Sequence, residues 1–219
     1  MMPLTADRPK PLLELLGKPL LERVFKSLPE EITEIILVVG YKGEMLRERF
    51  GDSFQDKKIT YVEQKEQLGT GNALMICRPY VEPGEYFLII YADDVHDKEV
   101  IATAIRKNRP AVFVARVQYP ERFGVVVVDD NGRILGLEEA PKEPKTDLAV
   151  TGAYFLNADI FNYPPILEPR GEYYINSMLL PYMRDHEVYA EIEKLWIPIG
   201  YPEDLKKTEL ILSRHSQKA

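Results

Sequence analysis

Cysteine is nearly absent from this chain of 219 residues. Cys77 stands alone, which excludes an intrachain disulfide framework and a cysteine zinc cluster and fits a reducing compartment. Histidine is scarce too: His96, His186 and His215 share no metal-ligand spacing, so a zinc centre has no support. No motif pairs a serine or cysteine with a base, and acyl-enzyme chemistry falls away with it. No apolar run approaches the roughly 20 residues that a membrane helix needs, and the first residues lack the basic-then-apolar pattern of a secretory signal. Positive charge is in the minority, 28 Lys and Arg against 35 Asp and Glu for a net −7. Without a dense basic block, neither nucleic acid nor a membrane is an expected partner. The expected setting is the cytoplasm. The expected organisation is one domain over 1–219.

Hydrophobic spacing supplies the architecture. Leu20, Leu21, Val24, Phe25 and Leu28 recur at helical intervals behind Pro19, a residue suited to a first helical turn. "EIILVVGY" is a continuous apolar run ended by Gly40, as in a strand buried on both faces. A short helix around 44–50, a strand at "KITYVEQ", a helix at 72–76 and a second apolar strand, "YFLIIYADD", follow. The alternation predicts a Rossmann-like, mixed and mostly parallel sheet flanked by helices. Next come a helix in "DKEVIATAIRKN", a strand in "PAVFVARV" and a hairpin in "GVVVVDDNGRILGLEEA" turned at Asn131-Gly132. "LAVTGAYFLN" reads as a strand, "YYINSMLLPYMRD" as a helix, "EVYAEI" as an edge strand and "PEDLKKTELIL" as a closing helix.

Three short stretches carry chemistry. "YADD" puts Asp93 and Asp94 at the C-terminal end of a strand, where open α/β sheets bind ligands; one of them could help hold magnesium, or merely cap the next helix. "EQKEQLGTGNAL" joins a strand to a helix through Gly69-Thr70-Gly71, so backbone N–H groups could approach a base or phosphate. A plain tight turn is the alternative. Gln64 and Gln67 add amides able to pair with a pyrimidine edge. Lys10, held between two prolines in "RPKPLL", is either a phosphate contact or a solvated charge.

Taken in order, "PLTADRPKPLLELLGKPLLE", "EQLGTGNAL", "YADD", "RFGVVVVDDNGRILGLEEAPKEP", "LAVTGAYF", "GEYYIN" and "LWIPIGYPEDL" resemble the sugar-1-phosphate nucleotidylyltransferases over nearly the whole chain. The resemblance implies in-line attack of a sugar 1-phosphate on the α-phosphorus of UTP or dTTP, with Mg²⁺ neutralising charge and pyrophosphate leaving. It also implies a nucleotide-binding half at 1–117 and a sugar-binding half at 118–219. By the same matching, Gln64, Gly69 and Thr70 belong to nucleotide binding, Lys10 to phosphate contact and Asp93 to the metal. Gly124, Glu139 and Gly152 would line the sugar.

The chain departs from that family pattern in several places. Pro198 stands where the family has a second metal aspartate, Ala140 where it has a phosphate-binding lysine, and Ala92 where it has glycine. The family strand and glycine-rich loop that precede "PLTADRPKPL" are not in this sequence. Loss of one preorganised donor typically costs about 100- to 1000-fold in rate, so weak catalysis is expected, together with an open place in the sheet between "EIILVV" and "YFLIIYADD". An enzyme encoded from further upstream and a non-catalytic nucleotide or nucleotide-sugar binder both fit. A related glycosyltransferase is a third reading, opposed by "QLGTGNA". An unmatched strand edge would also favour pairing with a second copy or an active paralogous subunit.

Overall fold

The computed structural model describes residues 1–169 and 171–216; the side chain of His215 lies outside what is described. After a 3-10 turn at Lys10–Leu12 come β1 (Glu14–Leu15), β2 (Lys18–Pro19), α1 (Leu20–Ser27), β3 (Glu34–Val39), α2 (Gly43–Phe50), β4 (Ser53–Phe54), β5 (Lys57–Glu63), α3 (Thr70–Ile76) and β6 (Tyr86–Ile90). The second part holds α4 (Lys98–Lys107), β7 (Ala111–Arg116), β8 (Gly124–Val128), β9 (Ile134–Glu139), β10 (Leu148–Asn157), α5 (Ile175–Asp185), β11 (Tyr189–Ile192) and α6 (Pro202–Ser216).

The expected mixed sheet flanked by helices is present, with one correction. Only β3 with β5 and β7 with β11 pair in parallel, whereas β10 runs antiparallel to β6, β7 and β8. A buried apolar run looks the same whichever way its neighbour points, so "mostly parallel" overstated what the pattern carries. "EVYAEI" ends the sheet order, as β11 forms a ladder with β7 alone among the described residues, although Tyr189 also makes an isolated bridge to Arg133 and Ala190 N bonds to Gly132 O at 2.8 Å. The Asn131-Gly132 turn forms, with Gly132 alone at positive φ and its N–H bonded to Asp129 O at 3.0 Å.

Alternation along β7 sets the two layers. Val112 and Val114 face α5 residues Ile175, Met178 and Tyr182 on one side, while Ala111 and Phe113 face Ile101 and Ala104 of α4 on the other. A third cluster packs α1 and α2 on β3 and β5. No ladder joins β3 to β6 among the described residues: β3 ends a three-stranded sheet and β6 pairs only with β10. Leu88 and Ile90 of β6 nevertheless reach the Leu37 and Val39 cluster, so side chains bridge where backbones do not.

One irregularity positions the site. Between Val150 and Tyr154, four residues of β10 span what two residues of β7 span, an expansion that also holds Gly152 at φ +80°. Before this bulge the other edge of β10 meets β8, with Ala149 opposite Val125; after it the same edge meets β6, from Ala153 opposite Ile90. The two strands therefore share one edge end to end, and the bulge with Gly152 lies where they separate.

Candidate active site

Tyr91 follows β6 directly and packs on this bulge. Its N–H bonds to Gly152 O at 3.0 Å, and a β-carbon on Gly152 would sit 2.3 Å from the Tyr91 ring. Glycine at 152 is thus required twice, by backbone conformation and by the ring lying on it. Two residues on, Asp93 Oδ2 accepts from Lys10 Nζ at 2.5 Å. Their side chains are 30% and 25% exposed, so the pair is accessible to a ligand.

Asp94 behaves differently from its neighbour. Its Oδ2 accepts from Trp196 Nε1 and its Oδ1 from Ile199 N, each at 3.1 Å. Burial, with the adjacent Asp93 charge, lifts its carboxyl to about 6. The helix cap that "YADD" left open belongs instead to Asp97, whose Oδ1 accepts from Glu99 N and Val100 N of α4. Asp94 is a clasp for the segment 196–199, aided by Val95 and Ile197 exchanging backbone bonds at 3.2 and 3.1 Å. This brings Pro198 to the neighbourhood of "YADD", with no side-chain oxygen to add.

The glycine loop is anchored by backbone. Gly71 N donates to Tyr173 O at 2.7 Å and Tyr173 N to Leu68 O at 2.8 Å. A β-carbon on Gly69, itself at φ +91°, would come within 2.6 Å of Tyr173 O. Gln64 sits just past β5, donating through Nε2 to Gly69 O at 3.1 Å and to Asn72 Oδ1 at 2.9 Å. Its carbonyl oxygen has no protein donor among the described residues, which leaves an acceptor for an imide N–H.

On the far side, Glu139 ends β9. Its Oε2 accepts from Asn176 Nδ2 at 2.8 Å, and a β-carbon on Gly124 would collide with both, 2.7 Å from Asn176 Nδ2 and 2.9 Å from Glu139 Oε2. Ala140, next to it, holds a strained φ of +42° while its N–H bonds to Phe123 O at 3.0 Å. The expected residues thus fall into three contact groups: Lys10 with Asp93; Gln64 with Gly69 and, next in the loop, Thr70; and Gly124 with Glu139. Gly152, packed on Tyr91, stands between the first group and the third.

Sequence reasoning missed Tyr91, Tyr154 and Asn176 beside the expected residues, and it named Asp94 without its role as a clasp. The available signal was a hydroxyl or amide inside an otherwise apolar element, Tyr154 in "LAVTGAYF" and Asn176 in "GEYYIN". Trp196 meets Phe123 edge to face at 5.5 Å. With Arg116, Tyr119, Arg122 and Lys194 these rings line a cavity of about 440 Å³ that includes Pro198 but none of the expected site residues.

Comparison with known proteins bears on this arrangement. Residues 1–214 match the family described as nucleotidyl transferase. A UTP–glucose-1-phosphate uridylyltransferase of Haloferax volcanii is 32% identical, the match covering 99% of this chain and 93% of that one. The bifunctional protein GlmU of Methanocaldococcus jannaschii is also 32% identical over 93% of this chain, which spans about half the relative, 49% of its length. Among solved structures, a Bacillus anthracis protein described as a glucose-1-phosphate thymidylyltransferase superposes with a TM-score of 0.81 at 25% identity, covering 96% of this chain and 89% of that one. A UDP-glucose pyrophosphorylase solved with UDP-glucose shares the fold at a TM-score of 0.84 and 20% identity, with 98% and 94% covered.

Proposed function

This chain belongs to the nucleotidyl transferase family, and from that premise we propose that it joins a sugar 1-phosphate to UTP or dTTP, giving an NDP-sugar and pyrophosphate. The observation that carries the reading is the Lys10–Asp93 contact at 2.5 Å, a cation and a carboxylate brought together at the end of β6. Before a nucleotide enters, the two groups neutralise each other. An incoming triphosphate competes for the Lys10 ammonium and releases Asp93. A phosphate oxygen of the sugar 1-phosphate then attacks the α-phosphorus in line, the α–β bridging bond breaks, and its electron pair leaves with pyrophosphate.

The donor set bears on a metal. Asp93 keeps Oδ1 without a protein partner among the described residues, whereas both oxygens of Asp94 are engaged. Among those residues no group of three His, Cys, Asp or Glu could hold a metal. One carboxylate with substrate phosphates and water is a mode magnesium accepts, and Asp93 fits it. Bound there, Mg²⁺ would supply neutralisation of the phosphate charge.

Gln64, Gly69 and Thr70 are proposed to read the base, and Gly124, Glu139 and Gly152 to line the sugar, which divides a single domain into halves at 1–117 and 118–219. Among the described residues no helix is long and apolar enough to cross a membrane, and a cytoplasmic setting is part of the proposal.

A second reading is favoured by Pro198 and Ala140, which withhold a carboxylate and an ammonium: the chain binds nucleotide or NDP-sugar without turnover, alone or beside an active partner subunit. One experiment separates the two. Purified protein is incubated with magnesium, UTP or dTTP and glucose 1-phosphate, and pyrophosphate and NDP-glucose are followed. Product from either pair establishes the first reading. Binding of UTP with no pyrophosphate from any pair establishes the second.

A further inference from the structure

Polar contacts join the start of α3 to the start of α5 and lead from the buried Tyr154 to the exposed Glu139. Thr70 Oγ1, at the start of α3, accepts from Ile175 N at the start of α5, at 3.3 Å. Tyr154 OH donates to Asn176 Oδ1 at 3.1 Å, and Asn176 Nδ2 donates to Glu139 Oε2 at 2.8 Å. Tyr154 is 1% exposed, and its ring lies 6.3 Å from that of Tyr91.

The direction of these contacts follows from their end. A carboxylate only accepts, so the Asn176 amide must present Nδ2 to Glu139 and Oδ1 to Tyr154. Tyr154 therefore spends its proton on Asn176, so both donors point toward Glu139 and each bond polarises the next. Glycine at 124 and 152 leaves room for Asn176 with Glu139 and for the Tyr91 ring.

We propose that Tyr154 and Asn176 are positioning residues that fix the Glu139 carboxylate for a sugar hydroxyl. The inference rests on the nucleotidyltransferase reading of the site. Glu139 Oε2 is held by the protein, while Oε1 has no protein partner among the described residues and is the atom left to meet the ligand.

Titration calorimetry with UDP and with UDP-glucose tests this, using wild type, Tyr154→Phe, Glu139→Gln and the double variant. Tyr154→Phe keeps the ring and deletes one hydroxyl. It is expected to weaken UDP-glucose binding about five- to tenfold, the scale of one hydrogen bond, and to leave UDP binding within about twofold. In the Glu139→Gln background the same change is expected to have almost no further effect, because the two residues act as a unit. Equal losses for both ligands, or additive losses in the double variant, would mean that Tyr154 only supports packing and would overturn the proposal. Asn176→Ser gives a second route to the same comparison if Tyr154→Phe melts early. Wild-type protein that binds UDP but gains nothing from glucose rejects the positioning role alone; failure to bind either ligand rejects the nucleotidyltransferase reading with it.

Discussion

Lys10 Nζ and Asp93 Oδ2 lie 2.5 Å apart, although 83 positions separate them in sequence. The pair is a cation and a carboxylate, each holding the other in place. Lys10→Met should weaken UTP binding by about tenfold or more, since hydrogen bonds to charged groups contribute roughly 1.5–3 kcal/mol. Thermal unfolding should change little, because a half-exposed ion pair contributes about 0–1 kcal/mol to folding. Unaltered UTP affinity would remove Lys10 from the site.

Gly152→Ala places a methyl against the Tyr91 ring, at 2.3 Å, and on a backbone at φ +80°. Overpacking and strain together should cost about 2–5 kcal/mol in urea unfolding. Gly136→Ala, where a β-carbon meets nothing within 4 Å, is the matched control and should stay within about 0.5 kcal/mol. Similar midpoints for the two variants would contradict the described bulge.

Stability should depend on pH through Asp94. Its carboxyl is raised to about 6 in the folded chain by burial and by Asp93, against about 3.9 when unfolded. Between these values the folded state holds the extra proton, so stability falls as pH rises from about 4 to about 6 and levels off above. The full drop is at most about 3 kcal/mol, at 1.36 kcal/mol per unit. Urea midpoints across pH 4–8 should show this decline in wild type and a flatter profile in Asp94→Asn; parallel profiles would assign the slope to other groups.

Cys77 is buried, its Sγ directed at Ala73 O at 3.3 Å, and burial pushes its thiol up to about 11. At pH 8 the native protein should react with iodoacetamide at least about 100-fold more slowly than the urea-unfolded chain. Rapid native labelling would show that the α3 end opens to solvent.

Much of this fold was legible because local pattern and burial coincide. Val112 and Val114 against Ala111 and Phe113 alternate as a two-sided strand must, and the Leu20, Leu21, Val24 and Phe25 spacing buries all four residues of α1. The partner of each strand was not legible, because pairing is a long-range property: nothing local in "YFLIIY" reveals that β10 comes to lie between it and β7. Within the site, short motifs brought forward Lys10, Asp93 and the Gln64 to Thr70 loop. Asp94 was singled out but its role as a clasp escaped, because its partners, Trp196 and Ile199, lie about a hundred residues downstream. Tyr154 escaped because its ring satisfies the apolar pattern while its hydroxyl does separate work.

The fastening between residues 68–71 and Tyr173 is made of peptide groups alone: one N–H to O bond in each direction. Ordinary replacement of side chains along either segment cannot loosen it. Side chains on the loop can therefore change in descendants of this chain while the loop itself stays where it is, whereas a proline at 71 or 173, or an added carbon at Gly69 or Gly71, would let it go.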